Sequence, residues 1–434
     1  MPNREASDRE MSNEIGFELA ASSIRFGAGI TREVGMDLAD WKCSRALVIT
    51  DPWMRRMKPV ATVLESLEAN GIAFTVFDAV RVEPTDESFR QAIVFANGVE
   101  FDAIVAVGGG SAIDTAKAVN LYTCYPPADF LDYVNPPIGK GLLVPGPLKP
   151  MIAIPTTAGT GSETTGVAIF DMIRMHAKTG IASRRLKPTL GILDPDHTLT
   201  LPKQVAAACG LDVLCHAIES FTALPYGDRP LPLRPSLRPA YQGSNPISDV
   251  WSLQALAMTA EFLPRVFRDP GDEEARGQML LAASYAGMGF GNAGCHLPHG
   301  MSYPVSGNVK NYRMKGYENV DHAMVPHGVS VILNAPAVFR FTAQASPQRH
   351  LRAAQVLGAD INGARADDAG RILADRLVEI MRLLEIPSGL RAVGYERGDI
   401  PKLVEGTLPQ HRVTKLSPRP ANADDLTAMF EEAL

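Results

Sequence analysis

The chain has 434 residues, 46% of them hydrophobic, and a formal net charge of −6. That length exceeds one ordinary core and makes two domains the expectation, while the mild acidity excludes the basic footprint of a nucleic-acid binder. No run of 18 or more apolar residues suggests a membrane span, and five cysteines without a CxxC pair fit no disulfide framework.

Residues 1–20 begin with mixed charges (Arg4, Glu5, Asp8, Arg9, Glu10, Glu14) and no apolar core. This is unlike a secretory signal or an acid-poor presequence, so a flexible tail is expected. Unpaired cysteines add the expectation of a reducing, cytoplasmic setting. From there short β-branched runs alternate with helix-period segments. Strands are expected at 46–50, 73–77 and 103–107, and helices at 54–69, 85–97 and 111–121. The alternation implies a parallel sheet covered on both faces, an α/β nucleotide-binding domain over residues 21–202. Past Leu201-Pro202, segments 205–222, 248–266, 273–287 and 367–384 read as helices with hardly a strand signal between them. Residues 203–434 are therefore expected to form an all-helical domain. Three Pro/Gly-rich stretches, 135–150, 225–246 and 306–326, interrupt the scheme. Loops that long in a compact chain are functional or disordered.

Two glycine-rich runs carry phosphate chemistry. At 108–114 the run GGGSAID ends a strand and opens a helix whose first turn holds Asp114. Glycines there admit backbone amides close to a phosphate, and the helix N-terminus favours the anion. The run is not GxGxxG, and glycines also fill such turns for steric reasons. The run PTTAGTGSE at 155–163 offers hydroxyls and glycines as a second set of donors, or is a Gly/Thr loop with an N-cap. Asp51, ending the first strand, suits a ribose hydroxyl and disfavours a 2′-phosphate, although Asp-Pro is also an ordinary turn dipeptide. Lys178 is either a phosphate contact or a solvated lysine.

Asp212 and His216 are four residues apart in a helical stretch, so both leave one face a turn apart. An acid–histidine pair at this spacing is common on surfaces. Here, however, Leu211, Val213, Leu214, Ala217 and Ile218 surround it, and buried ionisable groups need partners. With His299 and His327 the pair would complete an N3O set suited to Fe2+ or Zn2+. Cys215 and Cys295, beside the histidines, are either thiolate ligands or small buried apolar residues.

Together GGGSAID, PTTAGTGSE, GLDVLCHAIE (210–219) and PHG (326–328) resemble, in that order, the iron-containing (group III) alcohol dehydrogenase family. The resemblance runs from about residue 22 to the end. It implies a dehydroquinate-synthase-like α/β domain followed by an all-α metal-binding domain, with the metal and a nicotinamide in the cleft between them. It implies Asp212, His216, His299 and His327 as metal ligands, with Fe2+ or Zn2+ bound. It further implies NAD contacts at Asp51, Gly108, Gly109, Gly110, Ser111, Asp114, Thr156, Thr157, Thr160 and Lys178.

Within the family, FLDYVNPPIGKG (130–141), RPAYQGSNP (238–246) and GNAGCHLPHGMSYP (291–304) are similar to runs of members that pass hydride from a hydroxyacid to an oxoacid. The implied substrates are 4-hydroxybutyrate and 2-oxoglutarate, with no nucleic acid or membrane partner and a homodimeric assembly. The alternatives are an NAD-dependent alcohol dehydrogenase or maleylacetate-reductase-like enzyme using free cofactor, a sugar-phosphate cyclase, or a metal-binding scaffold. Two departures stand out. Many members carry His-x-x-x-His at the third ligand, but Tyr303 occupies the second position here, leaving His296 and Tyr303 as relay candidates. The 28 residues from His299 to His327 exceed the usual spacing. For substrate carboxylates the cations to search are Arg234, Arg238, Arg313 and Lys315.

Overall fold

A computed structural model describes residues 13–175 and 177–434. The first half contains strands β1 (Ser23–Phe26), β2 (Arg45–Ile49), β3 (Ala73–Phe77), β4 (Ala103–Gly108) and β5 (Met151–Pro155). It continues with β6 (Val167–Met172), β7 (Ala177–Ala182) and β8 (Leu190–Leu193). Between the strands lie helices α1 (Val34–Asp40), α2 (Lys58–Ala69), α3 (Asp86–Asn97) and α4 (Gly110–Cys124). Six strands form one sheet in the order β1-β8-β5-β4-β2-β3, every pairing parallel, while β6 and β7 make a separate antiparallel hairpin.

Alternation explains why the central strands read as continuous apolar runs. Ala46, Val48, Ala103 and Val105 point into one buried cluster. Leu47, Ile49, Ile104 and Ala106 point into another on the opposite face. Both faces are covered, so both sets are apolar. The expected strands and helices recur with ends shifted by a few residues. Strands β1 and β8, four residues each, are too short to display a period, and β5 was hidden in the run before PTTAGTGSE.

The second half is built on α5 (Lys203–Thr222), α6 (Pro246–Arg268), α7 (Glu273–Ala293), α8 (Leu297–Gly307) and α9 (His327–Ile332). Helix α5 is long and apolar enough to cross a membrane, yet it is 94% buried inside the protein. A helix apolar all round is a central core helix, and α6, α7 and α9 pack around this one. Of the expected flexible tail, residues 1–12 lie outside the described residues. Residues 13–20 correct that expectation: they form a strap across the helical half. Asn13 bridges Pro230, the Glu14 amide donates to the Arg229 carbonyl at 2.7 Å, and the Ala20 amide donates to Asn292 at 3.1 Å.

The run PTTAGTGSE is what clamps the two halves together. Gly161, at φ 58°, and Gly287 on α7 touch backbone to backbone. A Cβ on Gly287 would lie 2.2 Å from Thr164 Oγ1 and 2.8 Å from the Gly161 carbonyl. Beside this contact the buried Glu163 carboxylate accepts from the Ser284 hydroxyl. Gly287→Ala should therefore lower stability by about 1–3 kcal/mol through overpacking. Chemical denaturation checks it, and an unchanged midpoint would show that the two backbones do not meet this closely.

Candidate metal and cofactor site

Asp212, His216 and Glu219 leave α5 on one face, at positions i, i+4 and i+7. His299 is the third residue of α8, after Pro298. His327 is the first residue of α9, after Pro326. The glycine of Pro-His-Gly has a steric cause, since a Cβ on Gly328 would fall 2.0 Å from the Ala208 carbonyl and 3.0 Å from the Asp212 side chain. Only glycine lets α9 press its start against α5, and that approach delivers His327.

Asp212 Oδ1 lies 3.7 Å from His216 Nε2, 3.5 Å from His299 Nε2 and 3.7 Å from His327 Nε2. An ion held tetrahedrally at roughly 2.0–2.2 Å spaces its donors about 3.3–3.6 Å apart, so the set is near the size a divalent cation requires. Asp212 Oδ1 and His299 Nε2 are sealed from solvent without a hydrogen-bond partner. Orphaned polar atoms of this kind call for an ion or water. The residues fit a divalent metal.

Burial by itself would raise the Asp212 carboxyl, but the surrounding imidazoles hold it well below the carboxylate range. Burial pushes His216 down to about 3 and lowers His327 as well, leaving both as neutral lone-pair donors. His299 goes the other way. Burial opposes its charge, but the carboxylates of Glu219 and Asp212 outweigh that and raise its pKa, so a proton and a cation compete for Nε2. Glu219 Oε1 accepts from His299 Nδ1 at 2.6 Å, and Glu219 Oε2 accepts from the His296 amide at 2.7 Å. This carboxylate fixes the His299 tautomer with Nε2 toward the centre. Burial keeps Cys295 protonated, its pKa pushed up to about 11. Cys215 is raised still further within the helical core. Neither is a thiolate.

A cavity of about 880 Å³ joins the carboxyl ends of β2 and β4 to these donors, the usual place for a ligand on an open α/β sheet. At the sheet end it is lined by Asp51, Gly109, Gly110, Ser111, Thr156 and Thr157. Gly108 forms the turn beneath, with φ 151°, and Thr160 lines the next stretch. Asp51 serves in part as a turn cap: its Oδ1 accepts from the Trp53 and Met54 amides at 2.9 and 2.8 Å, while Oδ2 lies toward Gly108.

Asp114 also lines the cavity, but its oxygens are taken by the Ser162 hydroxyl, the Ile169 amide at 2.9 Å and Lys117 at 3.4 Å. It braces the two glycine-rich runs. Lys178 is neither solvated nor free. It is 2% exposed and sits between Glu83 Oε2 at 2.6 Å and Asp171 Oδ1 at 3.1 Å. Burial disfavours its charge, but the two carboxylates more than offset this and raise its pKa.

The relay candidates separate clearly. Tyr303 lines the cavity, and its hydroxyl accepts from Arg412 Nη2 at 2.6 Å. His296 does not reach it. Fully buried behind Glu219, it holds Thr222 Oγ1 through Nε2 at 3.0 Å and meets Phe339 edge-on, so its relay role is corrected to a packing one. None of the four expected carboxylate-binding cations lines the cavity. Arg238 forms a two-pronged pair with Glu14 at 2.8 and 2.9 Å. Arg313 donates to the carbonyls of Val320 and Asp321, both at 2.9 Å, which closes the 306–326 stretch into a loop whose Tyr317, Asn319 and Met324 wall the cavity. Sequence reasoning missed two residues. Glu219 was findable from its i+7 spacing to Asp212; Arg412, more than a hundred residues beyond His299, gave no signal.

Comparison with known proteins places this geometry. A family model described as "Iron-containing alcohol dehydrogenase" matches residues 21–195. Another, described as "Fe-containing alcohol dehydrogenase family, C-terminal", matches residues 240–434. The chain is 59% identical over 424 residues to hydroxyacid-oxoacid transhydrogenase, mitochondrial, of Xenopus laevis, covering 98% of this chain and 91% of that protein. To the Homo sapiens protein of the same name it is 58% identical, with the same coverage. Among solved structures, a 1,3-propanediol oxidoreductase superposes with TM-score 0.83 at 27% identity, covering 96% of this chain and all of that one. The cytoplasmic expectation is overturned here, because both near-full-length relatives are designated mitochondrial.

Asp212→Ala and His216→Ala should each abolish stoichiometric metal, measured by elemental analysis of purified protein. Unchanged metal content would show that other residues bind it. Glu219→Gln should keep the metal but weaken its affinity about 10–100-fold by loosening His299, read by chelator competition.

Proposed function

The chain belongs to the iron-containing alcohol dehydrogenase family, and we propose that within it the chain works as a hydroxyacid–oxoacid transhydrogenase. It is an oxidoreductase. The observation that carries the finer reading is identity of 58–59% over nearly the whole length to proteins of that name. A dehydrogenase that releases its cofactor at each turn is not favoured by those relatives. In the proposed reaction 4-hydroxybutyrate is oxidised to succinate semialdehyde and 2-oxoglutarate is reduced to 2-hydroxyglutarate. One hydride and one proton leave the first substrate and enter the second, so the pair balances without net cofactor.

Asp212, His216, His299 and His327 would hold Fe2+ or Zn2+, and the cleft from Asp51 to Thr160 would hold NAD. When bound, the metal supplies a Lewis acid for the substrate oxygen and NAD a carrier for the hydride. The chain's own residues do the rest. Glu219 keeps His299 in one orientation. Phe290, stacked on His216 at 3.8 Å between centroids, and Tyr241 supply apolar wall that keeps water from the reacting carbon. The PTTAGTGSE run, locked to α7, fixes the nicotinamide end of the cleft relative to the metal ligands. Tyr303 accepts from Arg412, which leaves its own proton free to donate toward a substrate oxygen.

The test uses metal-loaded enzyme carrying one equivalent of NAD, desalted and given both substrates with no added cofactor. 2-Hydroxyglutarate and succinate semialdehyde should appear in equal amounts. Absence of 2-hydroxyglutarate, or turnover only with added NAD, would rule the reading out.

A further inference from the structure

Among the described residues, the two fully buried lysines at or beside the cleft have carboxylate partners. Lys178 has Glu83 and Asp171, and Lys117 has Asp114. Arg412 is different. It stands on the short helix His411–Thr414 with Nη2 donating to the Tyr303 hydroxyl. Its guanidinium carbon lies 5.1 Å from the Tyr241 ring centroid, a cation–π contact. Nη1 is shut off from solvent and has no hydrogen-bond partner. The two tyrosines that Arg412 touches belong to an apolar cluster with Val167, Phe290, Cys295, Val413 and Leu416. Among the described residues no Asp or Glu pairs with Arg412. A guanidinium so placed bears a desolvation cost that no carboxylate among the described residues offsets, and its donor fork matches a carboxylate.

Its position relative to the donors is also informative. Tyr241 contacts Phe290 edge-on, and Phe290 stacks on His216. One continuous wall therefore leads from Arg412 to the proposed metal ligands, and both ends line the same cavity. The remaining lining cations, Arg56 and Arg81, follow β2 and β3 at the cofactor end.

We propose that Arg412 binds the carboxylate of the substrate while its reacting oxygen sits at the Asp212–His216–His299–His327 set. The assignment rests on the transhydrogenase reading and makes it more specific. In 4-hydroxybutyrate the carbinol carbon is three bonds from the carboxylate carbon. In 2-oxoglutarate the keto carbon is three bonds from the distal carboxylate carbon. One fixed guanidinium then serves both half-reactions in turn. Selection is by that spacing, and the second carboxylate of 2-oxoglutarate is tolerated beside the reacting carbon.

The experiment compares wild type, Arg412→Gln and Arg412→Lys, each loaded with metal and NAD. Binding of glutarate, a non-reacting dicarboxylate, is measured by calorimetry, and kcat/KM is measured for 4-hydroxybutyrate and for uncharged 1,4-butanediol. Arg412→Gln should weaken glutarate about 100-fold, the scale expected when one partner of a buried charge pair is truncated. It should also cut the acid-to-diol ratio of kcat/KM by a similar factor, through KM of the acid. Arg412→Lys, which keeps the charge but loses the fork, should fall between, and it carries the test if the Gln variant does not fold. Undiminished glutarate binding in both variants, or equal loss for acid and diol, overturns the assignment and leaves the transhydrogenase reading standing. Wild-type protein that binds glutarate through Arg412 yet forms no 2-hydroxyglutarate overturns the reading and upholds the site.

Discussion

A carboxylate held inside a nearly all-apolar helix is the constraint around which the helical half is organised. Asp212 is 2% exposed and has three imidazole nitrogens within 3.7 Å of one oxygen. Such a charge is tolerable only if partners converge on it, and imidazoles that can share a cation with it do so here. Convergence in turn dictates where α8 and α9 begin. His299 follows Pro298 in the first turn of α8, α9 begins directly after Pro326, and α9 needs the bare backbone of Gly328 to come close enough. Glu219 completes the arrangement from the same face of α5, turning His299 so that its basic nitrogen looks inward.

The sheet end follows a different physics. Asp114 and Lys178, the buried ionisable groups there, are bound up in internal pairs, while Arg56 and Arg81 also line the cavity. For an anion the turn offers backbone amides and hydroxyls, at the start of α4 and along PTTAGTGSE. The same run is pinned to α7 through Gly161 and Gly287, so the sheet end of the cavity is mechanically continuous with the helices that carry Asp212 and the three histidines. Their relative placement depends on a backbone contact, and backbone contacts are stiff.

Charge pairing divides the cleft further. Glu83, held at φ 55°, spends its carboxylate on Lys178. The bulk of the cation-bearing loops spend theirs on folding, as Arg238 does on Glu14 and Arg313 on loop carbonyls. Against that background the guanidinium of Arg412, facing tyrosines and apolar groups, is a position where an incoming anion meets unspent positive charge.

The parallel sheet, the helical second half and the family were legible in the chain, because each leaves a local trace. Alternating apolar runs report a sheet covered on both faces, a spacing of four puts Asp212 and His216 on one helix face, and glycine runs report close backbone approach. His299 and His327 joined that pair only through the family resemblance, while Glu219 was legible three residues beyond His216 on the same face. What the charged residues do could be read only from the folded chain. Lys178, Arg238 and Arg313 looked available because sequence shows a cation but not its partner. His296 and Tyr303, seven residues apart around His299, part company because α8 begins between them: His296 packs on Thr222 and Phe339, whereas Tyr303 lines the cavity. Arg412 reaches the cavity through packing of distant helices, and no local pattern records a contact made across more than a hundred residues.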